Sequence, residues 1–161
     1  MSIAFSASEL INTAIGIEKQ GIAYYDVMAE STWHEVARDL FRHLANMEKT
    51  HLTTFQSMLD DVEKYEPPGQ FAAEYDAYMR ALIDNAVFTD ELAASELATH
   101  LDNEIEAMDI AISAEKESIL FYYYMKEVMP PSVEPVVLKI LAEEKAHLSQ
   151  LSEIRKRIES L

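Results

Sequence analysis

The chain has 161 residues, 49% apolar and 26% charged, with a formal charge of −16, three glycines, five prolines and no cysteine. That length and balance suit one compact domain (1–161) with a sizeable core and argue against intrinsic disorder. The charge argues against nucleic acid and anionic membrane surfaces as partners, and the missing cysteine excludes disulfides, thiolate nucleophiles and iron–sulfur clusters.

Four long helical patterns are predicted, in keeping with a composition rich in Ala, Leu, Glu, Met and Ile. The start, MSIAFSASEL, lacks a basic segment followed by an apolar run, so no secretory signal is expected and the expected compartment is the cytoplasm. Ser6 and Glu9 have capping-box spacing ahead of the run Leu10, Ala14, Ile17, Gly21, Tyr25, Met28. Thr32 and Glu35 repeat that spacing before Leu40, Leu44, Met47, Leu52, Phe55, Leu59 and Val62, and Glu66-Pro67-Pro68-Gly69 is the predicted stop. Between residues 65 and 100 the connection is too long for a structureless loop. FAAEYDAYMRALIDNAVF and SELATHL predict short helices inside it. A third long helix is expected from Asp102 or Asn103 to Pro130-Pro131, and a fourth from Ser132, read as its N-cap, to the C-terminus. No apolar stretch approaches the roughly 20 residues that span a bilayer. The expected fold class is all-α: a four-helix bundle with a long, helix-containing crossover between its second and third helices.

The two helix pairs, about 6–64 and 103–160, resemble each other as an internal duplication would. AIGIEKQGIAYYDVM (14–28) aligns without gaps on AISAEKESILFYYYM (111–125), and MEKTHL (47–52) on EEKAHL (143–148). Glu18 precedes Glu48 by 30 residues and Glu115 precedes Glu144 by 29.

The duplicated positions carry the chemistry. Glu48-Lys-Thr-His51 and Glu144-Lys-Ala-His147 are both Glu-x-x-His, which puts a carboxylate and an imidazole on one helix face a turn apart. One such tetrapeptide is weak; two, each paired with a glutamate on the preceding helix, are much stronger. Glu18 lies among Ala14, Gly21, Ile22 and Tyr25, Glu115 among Ala111, Ile112, Ile119 and Tyr122, and Glu144 among Ile140, Leu141 and Leu148. Burying four unpaired carboxylates costs several kcal/mol each, by order of magnitude. Either they are surface groups or cations compensate them, and two divalent ions balance four carboxylates. Oxygen and imidazole donors without sulfur suit iron or manganese, with zinc as a substitute. Lys19, Lys49, Lys116 and Lys145 follow the four glutamates directly and should point outward.

This set, Glu18 with Glu48-x-x-His51 and Glu115 with Glu144-x-x-His147, resembles the ligands of the ferritin-like superfamily, whose di-iron members use one Glu from each of two helices and Glu-x-x-His from the others. AIGIEKQG and AEEKAHL look most similar to rubrerythrin-like proteins. The resemblance covers the four long helices and implies two iron ions, with Glu18 and Glu115 as terminal ligands, Glu48 and Glu144 as bridges, and one histidine at each ion. It implies for Tyr25 and Tyr122, seven residues beyond Glu18 and Glu115, a hydroxyl holding a ligand carboxylate; plain core packing is the alternative. It further implies an oxidoreductase acting on ferrous iron, peroxide or dioxygen, and a homodimer, with helices exchanged or not. The other reading is a non-catalytic, iron-handling protein of the same class. Three features depart from the rubrerythrin pattern. Ser118 stands where an additional glutamate is usual, with Glu117 beside it but off that face. The cysteine-bearing rubredoxin module is absent, so electrons would come from an external donor. Only fourteen residues follow His147, which leaves little room for the extra helix of ferritin cages.

The remaining candidates read more plainly. His34, His43 and His100 are expected to be surface or ordinary polar residues, and Trp33 a packing anchor. Tyr123 and Tyr124 should face either another subunit or the crossover helices. Gly16 and Gly21 suggest close helix packing or a local bulge beside Glu18.

Overall fold

The computed structural model describes residues 6–62, 72–101 and 103–161. Four long helices, α1 (Ala7–Ser31), α2 (Glu35–Val62), α5 (Glu104–Val128) and α6 (Glu134–Glu159), form the bundle. Two shorter ones, α3 (Ala72–Asp84) and α4 (Glu91–Thr99), occupy the crossover where helices were expected. Short connections pair α1 with α2 and α5 with α6, and α4 packs on α1. No helix among the described residues is long and apolar enough to cross a membrane.

Local chemistry sets the helix starts, and two of them differ from expectation. Ser6 forms the capping box with Glu9, its hydroxyl accepting from the Glu9 N–H at 3.1 Å while its own N–H donates to the Glu9 carboxylate at 2.7 Å. Asn103 caps α5 by accepting from the Glu106 N–H at 2.8 Å, and Asp90 caps α4 by accepting from the Ala93 N–H at 2.7 Å. Thr32, however, ends α1 rather than starting α2. The start of α2 is served from across the bundle: the Trp33 and His34 N–H groups both donate to Glu104 Oε1 at 2.7 Å, and His34 Nδ1 accepts from the Ala37 N–H at 3.4 Å. Ser132 is likewise no N-cap. It lies inside a 3₁₀ turn, Pro131–Val133, and α6 follows from Val133 with a proline in its first turn, where a missing N–H costs nothing. The proposed stop at 66–69 and Asp102 lie outside the described residues.

The core is divided in two. One cluster joins Leu10, Ile11, Phe55, Phe121, Tyr122 and Met125; the other joins Tyr24, Phe41, Leu44, Met108 and Leu151. On every long helix the stretch between the two clusters carries the glutamates and histidines. Each fully buried Leu, Ile or Phe contributes about 1.5–3 kcal/mol, so hydrocarbon at both ends holds the polar waist together.

Other side chains correct the sequence reading. Trp33 is 93% exposed and is no packing anchor among the described residues. Of the two settings expected for Tyr124 the structure has the crossover one, since it is buried in the first cluster together with Met79 of α3. Tyr123 is exposed. No bulge interrupts α1, and neither Gly16 nor Gly21 has positive φ. A Cβ at Gly21 would rest 3.5 Å from Glu48 Cγ, so a side chain much larger than alanine would press on that glutamate; one at Gly16 would meet nothing within 4 Å.

Candidate metal centre

Glu18, Glu48, His51, Glu115, Glu144 and His147 all turn inward at the waist, none more than 4% exposed. They form two overlapping sets, Glu18–Glu48–His51–Glu144 and Glu48–Glu115–Glu144–His147, each with its ligand atoms within 4.8 Å of one another. Glu48 and Glu144 belong to both. His51 Nδ1 stands 3.0 Å from Glu144 Oε1, 3.1 Å from Glu48 Oε2 and 3.6 Å from Glu18 Oε2. His147 Nδ1 stands 3.1 Å from Glu144 Oε2, 3.5 Å from Glu48 Oε1 and 3.9 Å from Glu115 Oε1. Each shared carboxylate therefore offers one oxygen to each half.

This donor set fits two cations. One imidazole nitrogen carries a single proton or a single lone pair and cannot hydrogen-bond three carboxylates at once. Metal bonds of about 2.1 Å at right angles place neighbouring donors about 3.0 Å apart, close to the shorter separations here. Glu144 Oε1 is buried and makes no hydrogen bond of good geometry, although His51 Nδ1 stands 3.0 Å away, which suits an oxygen placed to bind an ion. The charges agree with this. Burial, reinforced by the charges of Glu18 and Glu144, holds Glu48 well above the usual carboxylate range. Burial and Glu144 do the same to Glu115. At Glu144 burial also pushes upward, but the imidazoles of His147 and His51 beside it outweigh that and bring the group to about 2. Burial would lower the His51 pKa, yet the carboxylates of Glu144, Glu18 and Glu48 crowded around its Nδ1 raise it. The waist gathers positive charge, as protons when nothing else is bound.

A second ring of side chains positions the ligands. Tyr25 on α1 donates to Glu115 Oε1 on α5 at 2.5 Å, and Tyr122 on α5 donates to Glu18 Oε1 on α1. Each tyrosine thus braces the glutamate of the other helix. Burial raises both phenols well above their ordinary range, which keeps them protonated as donors. Glu143 Oε2 lies 2.8 Å from His51 Nε2, a contact the sequence reading missed. When the ring is neutral, a carboxylate there favours the proton on Nε2 and leaves the Nδ1 lone pair to face the waist, where a metal would take it. His147 Nε2 is buried and has no such partner among the described residues.

The lysines after the four glutamates face away from the waist as expected. Lys49 pairs with Asp26 at 3.2 Å, Lys145 lies over the Tyr123 ring at 4.8 Å, Lys116 is exposed and Lys19 half-buried. His100 is exposed, whereas exposed His43 stands edge-on to the His147 ring at 6.3 Å, a proximity its helical spacing did not suggest. Against the carboxylate side lies a cavity of about 200 Å³ that touches Glu18, Glu48 and Glu115 but neither histidine. Glu117, passed over as a ligand, borders it and accepts the Val87 N–H at 3.0 Å.

A four-helix bundle with two carboxylate–histidine sets sharing two glutamates defines a ferritin-like diiron-carboxylate protein. The same class emerges from a crystal structure from Thermotoga maritima, provisionally described as a ferritin-like diiron-carboxylate protein, which is 28% identical, matches with a TM-score of 0.71, and is covered over 96% of its length by 95% of this chain. The rubrerythrin family model matches residues 9–155, and the chain belongs to that family. No curated protein compared with the chain matches it.

Proposed function

We propose that the chain is a di-iron oxidoreductase that oxidises ferrous iron or reduces peroxide or dioxygen, with electrons from an external donor when it turns over. A bound iron pair supplies electrons and a Lewis-acidic template to a small oxidant. Glu48 and Glu144 hold the pair together; Glu18 with His51, and Glu115 with His147, complete its two ends. Tyr25 and Tyr122 keep the terminal carboxylates in place, and the apolar clusters above and below exclude bulk water. The observation that carries the reading is that Glu48 and Glu144 are shared, one oxygen to each half. A single-ion structural site needs no such sharing. Manganese suits the same donors. The homodimer and the cytoplasmic location belong to the same proposal.

Anaerobic loading with ferrous iron, then peroxide or dioxygen with a reductant present, tests it. Two irons per chain and many fast oxidation–reduction cycles are expected. A single slow oxidation would instead identify a non-catalytic, iron-handling protein.

A further inference from the structure

We propose that the cavity beside the carboxylate face is a binding chamber for a small, neutral, apolar molecule, between benzene and indole in size. The first argument is volume. Dioxygen or peroxide needs no more than the space of about two waters, about 60 Å³ of liquid, whereas an apolar cavity of about 150 Å³ accepts benzene. At about 200 Å³ this one far exceeds what a two-atom oxidant requires.

The second argument is the chemistry of the walls. Ile17, Leu82, Ile83, Ala86, Phe88 and Phe121 supply hydrocarbon from α1, α3, the α3–α4 connection and α5. Three hydroxyls beside them are already engaged, Thr13 with the Glu9 carbonyl at 2.9 Å, Ser118 with the Ala114 carbonyl at 3.1 Å and Tyr25 with Glu115, while Thr89 and Gln20 add two polar groups to the lining. Glu117 is engaged with the Val87 N–H. Among the described residues neither lysine nor arginine borders the space, so none of them recognises an anion there.

The third argument is that small residues keep the space open. Gly16, Gly21, Ala114 and Ser118 line it along α1 and α5, where long side chains would fill it. At Gly16 no neighbour demands a glycine, since a Cβ there has open space within 4 Å and φ is not positive. A mid-helix glycine weakens a helix; this one leaves room in the chamber. The Glu117–Val87 hydrogen bond ties the α3–α4 connection, which supplies part of the wall, to α5.

Binding is read on the metal-free full chain, so its outcome is independent of the redox proposal. Toluene and indole are the probes, followed by thermal melting and by titration of methyl NMR signals. At about ten times its dissociation constant, a bound probe raises the melting temperature by about 3–6 °C and shifts the Leu82, Ile83 and Ala114 methyls. Gly16→Leu, which extends into the open space, should weaken binding at least tenfold, and its metal uptake reports that the bundle is intact. If Gly16→Leu fails to fold, Ala114→Leu fills the same space from α5 and should give the same loss. The inference is overturned if wild type shows neither effect, or if either filling variant folds and binds as wild type does. If wild type binds neither probe and Gly16→Leu slows metal uptake, the space is an ion path and the inference is overturned equally.

Discussion

The His51 and His147 halves of the centre share Glu48 and Glu144 and face them with the same imidazole nitrogen, yet they differ one layer out. His51 is oriented by Glu143, whose side chain is 28% exposed, whereas His147 Nε2 is buried without a partner among the described residues. The two similar segments account for the difference, because the position aligned with Glu143 is Met47. The donors recur in both segments, whereas the outer contacts do not. A carboxylate on the far nitrogen makes an imidazole a better donor, so the His51 half is expected to take the first ion.

The strongest way to break the comparison is to remove what the halves share. Glu144→Ala withdraws an oxygen from each, and elemental analysis should find less than one iron per chain while circular dichroism remains helical. Glu143→Ala acts on one half alone. It should cost the His51 half about 10–100-fold in affinity, so that a two-step anaerobic calorimetric titration collapses toward one step. Retention of two separate steps would refute the inequivalence.

The smallest effect per step is in pH, and its sign follows from the waist without metal. Glu48 and Glu115 are raised above their ordinary 4.5 and His51 above its ordinary 6.5. Between pH 5 and 8 the folded chain therefore binds more protons than the unfolded one, and metal-free stability falls as pH rises. Each proton so held contributes at most about 1.4 kcal/mol per pH unit. Glu144, near 2 when folded, is ionised in both states across that window, and its contribution is lost only as pH falls below about 4.5. Denaturant melts of the metal-free protein should show the decline, and metal loading, which displaces these protons, should flatten it.

What could be read in advance depended on whether a feature is local or arises from juxtaposition. The helices, the caps at Ser6 and Asn103 and the six inward ligand candidates follow from spacing along a single helix, and all appear as expected. Thr32 had the right spacing for a cap, but the start of α2 is met by Glu104, seventy residues away in sequence from His34. Seven-residue spacing put Tyr25 on the face of Glu18 and Tyr122 on that of Glu115 but could not say which carboxylate each would hold; folding gives each the glutamate of the other helix. Glu143 carried a faint signal, as a second acid beside Glu144, but nothing along α6 could show that His51 would meet it. Trp33 failed as an anchor because residue type alone does not say which way a turn throws its side chain.

The division of the core into two greasy ends has a consequence for how the protein matures. Each end clasps all four rods on its own, so the scaffold is expected to stand before any metal is bound and to survive its removal. Such a chain would be charged after synthesis, like a cartridge.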